Sequence, residues 1–259
     1  MNRLPLRFPC GSNSLAGTLD TAGGATGLLI VSGGSEIRSG AFSGHAALAA
    51  RLAGAGFPVF RFDRRGIGDS DGEDRGFRAS QNDIAAALSA FRAIAPQVEQ
   101  VIGFGNCDAG SALMLGSGGG CDGLVLSNPW VIEEDTPGAL PPPAAIRSRY
   151  TEKLRKPKEL TRLFTGAVDL RKLSRGLLGA LKSPPAPTSL AQEMAAGLAR
   201  FEGPVKILLA ARDRTAQIFE TTWDPSDNRI ERCENAGHSY AEPHAREWLY
   251  QQLLAALKA

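Results

Sequence analysis

Short apolar runs bounded by glycine alternate along the chain with stretches whose apolar positions recur at helical spacing. "LPLRFPC" (4–10) and "LAGTLD" (15–20) read as two opening antiparallel strands. "GLLIVSGG" (27–34) is almost wholly apolar and ends in glycines, as a strand buried on both faces should. "FSGHAALAARLAGAG" (42–56) predicts a helix closed by Gly56, and "PVFRFD" (58–63) the next strand. "SQNDIAAALSAFRAIA" (80–95) predicts a helix opened by Ser80, with Asp83 three residues on as its capping partner. "VIGFG" (101–105) is a strand, "SALMLG" (111–116) lies in a helix, and "GLVLSNPWV" (123–131) is a further strand.

The pattern changes after about residue 133. Pro-rich stretches, "GALPPPAA" and "KSPPAPTS", bracket segments of helical character, and between Arg147 and Lys182 there are eleven basic residues against three acidic ones. Strand-like runs then return in "PVKILLAARD" (204–213) and "NRIERCENAG" (228–237), followed by an amphipathic helix, "EPHAREWLYQQLLAALKA" (242–259). Strands alternating with helices imply an α/β fold, a doubly wound and mostly parallel sheet with right-handed crossovers. Residues 1–132 and 201–259 form its core and 133–200 a helical cap inserted between its strands. Ligands on such sheets bind beyond the carboxyl ends of the strands.

Composition narrows the function without naming it. At 259 residues, 43% hydrophobic and 22% charged, the chain suits one globular domain with an insertion. A net charge of +2 gives no case for nucleic acid or a membrane surface as partner. No apolar run is long enough to cross a bilayer, and the N-terminal stretch has no signal-peptide core, so a cytoplasmic location is expected. Cys10, Cys107, Cys121 and Cys233 are scattered, with no C-x-x-C pair, which leaves no expected zinc site and no expected cofactor.

Chemistry enters at "VIGFGNCDAGSAL" (101–113). A strand, a sharp turn and a helix place Cys107 where a nucleophile stands in G-x-S-x-G elbows. Gly105 and Ala109, two residues to either side, are small enough for strand and helix to pack closely, and the helix dipole favours a thiolate. The backbone N–H of Asp108 is one expected oxyanion donor; Gly34 or Ser35, in "VSGGSE" (31–36), is the other. The order nucleophile, acid, base then selects Asp213, which ends "LLAARD", and His238 in "NAGHSY". His45 falls inside an early helix and His244 near the start of the last one. Trp130 and Phe42 are the expected lining of an acyl pocket. The glycine-rich "FDRRGIGDSDG" (62–72) has neither P-loop nor dinucleotide spacing and reads as a loop shaping the site.

"FDRRGIGDSDG", the cysteine elbow, "LLAARD" and "NAGH", in this order, resemble the α/β-hydrolase superfamily across essentially the whole chain. More narrowly, "SGGSEIRSG", "RFDRRGIGDSDGEDRGF", "GNCDAGSALML" and "LVLSNPWV" resemble the exosortase A system-associated hydrolase 1 family. That family is similar in its Cys-Asp-Ala elbow, its Asn-Pro-Trp strand end and its basic helical cap, and its genes accompany exopolysaccharide and protein-sorting systems in Gram-negative bacteria. Two departures from the wider superfamily stand out. Ser32 occupies a position where many hydrolases carry histidine, and the elbow closes on Ala109 rather than glycine. The expected activity is hydrolysis of an ester or thioester through Cys107, His238 and Asp213, on a small acyl substrate. An acyltransferase using the same acyl-enzyme, or a hydrolase fold retained for binding alone, are the alternatives. The basic cap reads either as solvated helix faces or as a cover that attracts anionic partners.

Overall fold

A computed structural model describes residues 2–132 and 189–259 of the chain. Most of the interval assigned to the cap, 133–188, lies outside the described residues. In chain order the elements are β1 (Arg3–Cys10), β2 (Asn13–Asp20), β3 (Thr26–Val31), α1 (Gly44–Gly54), β4 (Val59–Phe62), α2 (Gln81–Ile94) and β5 (Gln100–Asn106). They continue with α3 (Asp108–Leu115), β6 (Gly123–Ser127), α4 (Ser189–Ala199), β7 (Val205–Ala210), α5 (Arg214–Thr222), β8 (Ile230–Cys233) and α6 (Pro243–Lys258).

The strands form one eight-stranded sheet in the order β1-β2-β4-β3-β5-β6-β7-β8. β1 pairs antiparallel with β2, and β2 antiparallel with β4; every later pairing is parallel. This is the doubly wound, mostly parallel sheet that the alternation of strands and helices implies.

Period-two alternation explains why the central strands are apolar throughout. Along β3, Leu29 and Val31 join a core that includes Phe60, Phe91, Leu113 and Met194. Leu28 and Ile30 point the other way, into a second core with Leu52, Phe104, Val125 and Leu253. Helices cover both faces, so neither set meets water, and each such side chain contributes about 1.5–3 kcal/mol of burial. At the end of the interval assigned to the cap, α4 buries Leu190, Ala191, Met194 and Leu198 in the first of these cores.

Two local expectations are corrected. The helix expected over 42–56 begins only at Gly44, because Ala41–Ser43 form a separate 3-10 turn in which Phe42 and Ser43 take positive φ. Ser80 does precede α2, but its side chain caps nothing; the hydroxyl donates to the Phe77 carbonyl at 2.7 Å. Asp83 is drawn away from the local cap by a tertiary partner. It accepts from the Arg65 backbone N–H at 3.0 Å and from Arg65 Nε at 2.5 Å, charge-assisted contacts stronger than a neutral capping bond.

Candidate active site

Cys107 sits between β5 and α3 with φ 61° and ψ −130°, a conformation that L-residues rarely adopt and that stores about 1–3 kcal/mol. The elbow is held by its backbone. The Cys107 N–H donates to the Ser127 carbonyl at 2.9 Å, and the Cys107 carbonyl accepts from the Ser111 and Trp130 N–H groups at 3.3 Å. Gly105 is required by close approach rather than by its dihedrals: a Cβ there would stand 2.6 Å from the Ala109 carbonyl carbon.

β7 ends at Ala210, and Asp213 follows as the N-cap of α5. Its Oδ2 accepts from the Ala216 N–H at 3.1 Å and lies 2.9 Å from His238 Nδ1. Asp213 is buried, and the His238 ring is about half exposed. The loop carrying His238 is fixed from below: the side-chain amides of Asn106 and Asn128 donate to its carbonyl at 3.2 and 3.3 Å. Asn128, fully buried, also accepts from the Ala210 N–H at 2.8 Å, tying this loop to β7.

Hydrogen bonding to Asp213, and next to Cys107, pushes the His238 imidazole up to about 10 against the opposing pull of burial. The Asp213 carboxylate therefore favours a charged imidazole on the side of the ring that faces it.

The two expected partners of Asp108 differ in their state. The Gly34 N–H donates to Asp108 Oδ1 at 2.6 Å, while the N–H groups of Ser35 and Asp108 meet no protein acceptor among the described residues. Arg64 sits behind this contact, buried, with Nη2 donating to the Gly34 carbonyl and lying 3.6 Å from Asp108 Oδ2. A Cβ on Gly33 would stand 2.6 Å from the Asn106 carbonyl oxygen, so only glycine allows this loop to lie against the elbow.

A cavity of about 300 Å³ opens beside Cys107 and His238. Phe42 lines it, 86% exposed, together with Leu48, Phe104, Tyr240 and Leu249. Trp130 does not line it: the indole N–H donates to the Ile132 carbonyl at 2.8 Å, and the ring packs on the core. Glu36 and His45 line it as well. Burial raises the Glu36 carboxyl and lowers His45 to about 4, so the latter ring is neutral at neutral pH.

The four cysteines are all free thiols, and three are buried. Burial pushes Cys121 up to about 12 and moves Cys10 and Cys233 in the same direction. Among the described residues no cluster of three or more His, Cys, Asp or Glu side chains is placed to hold a metal ion, and no helix is long and apolar enough to cross a membrane.

Arg64, Asn106 and Asn128 were within reach of sequence reasoning, since each stands inside a motif quoted above, but nothing local assigns them partners. Glu36 and His45 come together with the elbow only through the tertiary fold.

A parallel sheet with a strained turn at the end of its fifth strand, and an acid and a histidine delivered to that turn by the last two strand ends, defines the α/β hydrolases. The chain belongs to the alpha/beta hydrolase family, whose profile matches residues 28–252. Solved structures share the fold at low identity. An esterase of Pyrococcus furiosus is 14% identical with a TM-score of 0.59, over 99% of this chain and 90% of that one. The α/β hydrolase GrgF from a Penicillium species is 17% identical with a TM-score of 0.61, over 100% and 98%. Est1E from Butyrivibrio proteoclasticus, solved with ferulic acid, is 14% identical with a TM-score of 0.59, over 98% and 100%. A search of curated proteins finds no match to the chain.

Proposed function

We propose that the protein hydrolyses a carboxylic ester or thioester through a Cys107 acyl-enzyme. The observation that carries this is the Asp213–His238 pair, 2.9 Å between Asp213 Oδ2 and His238 Nδ1, lining one cavity with a sulfur held in a strained elbow. His238 takes the thiol proton, and the thiolate attacks the acyl carbonyl carbon. The resulting oxyanion is met by the N–H groups of Ser35 and Asp108, each donor supplying about 3–4 kcal/mol. Collapse expels the alcohol or thiol, protonated by the His238 imidazolium. Water, deprotonated by the same ring, then attacks the thioester and releases the acid and the Cys107 thiolate. Because the intermediate is itself a thioester, activated acyl donors are favoured over amides.

One of the structural neighbours is an esterase by name and another was solved with ferulic acid bound, which agrees with acyl chemistry in this fold. The narrower resemblance to exosortase-associated hydrolases supports, within the same proposal, a cytoplasmic role beside exopolysaccharide systems.

The test is intact mass after brief mixing with acyl thioesters and aryl esters, comparing the native protein with C107A and H238A. An acyl adduct on the native protein that C107A lacks is the expected result. Decay of that adduct in water identifies a hydrolase; decay only with an added alcohol or amine converts the assignment to a transferase. No adduct and no turnover with any donor would leave a binding protein on a hydrolase fold.

A further inference from the structure

The cavity beside Cys107 is not a simple bowl above the sheet. On α1 it is lined by Gly44, Ala47, Leu48 and Arg51, the i, i+3, i+4, i+7 face of one helix. On α6 it is lined by Arg246 and Leu249, one turn apart. The lining therefore runs as a groove between the two helices. Along α1, from Gly44 to Arg51, helical rise gives it a length of about 10 Å.

Charge is distributed along that length in a definite order. At the near end stand the Glu36 carboxyl and the His238 imidazole. In the middle the walls are apolar apart from His45, whose Nδ1 is buried without a hydrogen-bond partner, 3.8 Å from Glu36 Oε2. At the far end Arg51 is already engaged. Its Nη2 lies 2.7 Å from Glu247 Oε2, and its guanidinium carbon lies 3.8 Å from the Tyr250 ring centroid. Arg246 makes no side-chain hydrogen bond or ion pair among the described residues and is exposed. Two guanidiniums against one carboxylate leave a positive charge uncompensated where the groove ends.

We propose that this groove is a subsite for a substrate arm that is apolar along its length and ends in an anion, a carboxylate or a phosphate, held by Arg246 with support from Arg51. Leu48, Phe104 and Leu249 take the apolar stretch. An anion held by the two arginines leaves the other end of the arm free to reach toward Cys107. A guanidinium can hold either anion in two parallel hydrogen bonds.

The proposal builds on Cys107 being the reacting centre, so its test has a binding arm that needs no chemistry. Monothioesters of dicarboxylic acids from succinyl to sebacoyl are compared with alkanoyl thioesters of matching length, and with an ω-phosphoalkanoyl thioester. The native protein is expected to favour the charged ends by about tenfold or more in kcat/KM at the best length. R246A collapses that ratio, R246K keeps part of it, and rising salt weakens it. In parallel, binding of a dicarboxylate monoester to C107A is followed by calorimetry, with C107A/R246A beside it. Equal rates for charged and neutral ends, with binding indifferent to Arg246, overturn the subsite while leaving the acyl-enzyme intact. Arg246-dependent binding with no acyl adduct on Cys107 keeps the subsite and removes the hydrolase. The better of the carboxylate and phosphate series names the anion.

Discussion

Cys107 is the only one of the four thiols that is not buried, and it alone lines a cavity with His238. Alkylation of the native protein by iodoacetamide is therefore expected at Cys107, with Cys10, Cys121 and Cys233 modified only on unfolding; peptide mapping that finds rapid native labelling at any of those three would contradict the burial described. His238 carries a second prediction. Its folded value, pushed up to about 10, stands above the ordinary 6.5, so the stabilisation from the charged ring is complete below about 6.5 and is lost as pH rises through about 10. The Asp213 hydrogen bond is the largest cause. In D213N the ring should titrate nearer its ordinary value and acyl transfer should slow by orders of magnitude. Imidazole NMR reads the first effect and single-turnover kinetics the second. An unmoved titration would remove Asp213 from its assigned part.

Among the elements, the contact of β5 with α3 decides whether the elbow exists at all. A Cβ on Gly105 meets backbone atoms of Ala109 and Gly110 at 2.6 and 2.7 Å, and backbone cannot swing aside as a flexible side chain can. Gly105→Ala is expected to cost about 2 kcal/mol, seen as a lower urea midpoint with unchanged slope, and to slow Cys107 acylation. The strands themselves were plain in the sequence because burial on both faces leaves "GLLIV" and "GLVL" without a polar position. The elbow, Asp213 and His238 were legible for a related reason, since chain order fixes which strand end carries which group. What stayed hidden was set by contacts distant in sequence. The positive φ of Phe42 interrupts a segment whose composition is helical, and Asp83 answers Arg65 rather than its own helix.

At the scale of the molecule, a buried ion pair fastens the antiparallel edge to the parallel sheet. Asp20, with no exposed side-chain surface, lies 2.8 Å from Arg61 Nη2 and 2.8 Å from Arg3 Nε. Arg61 is nearly as buried and donates through Nη1 to the Arg38 carbonyl at 2.8 Å. Both strands were visible as runs ending in aspartate, but the pairing depends on β4 lying between β2 and β3, which no local pattern encodes. Asp20→Ala strands the Arg61 guanidinium in the interior and should destabilise the fold by about 3–5 kcal/mol, with Asp20→Asn recovering part of it. Thermal and urea unfolding measure both. A loss below about 1 kcal/mol would show that water or the Arg38 carbonyl satisfies the Arg61 guanidinium.

The dihedral angles of Cys107 also bear on how such a chain ages. Glycine is indifferent to φ 61° and ψ −130°, so Cys107→Gly should melt higher than the native protein while acylating nothing. Selection for hardiness alone would then steer variants toward glycine at this position. A heat-challenged library scored only for folded protein should enrich the inert sequence, and its survivors would count how readily the fold sheds its chemistry once nothing asks for it.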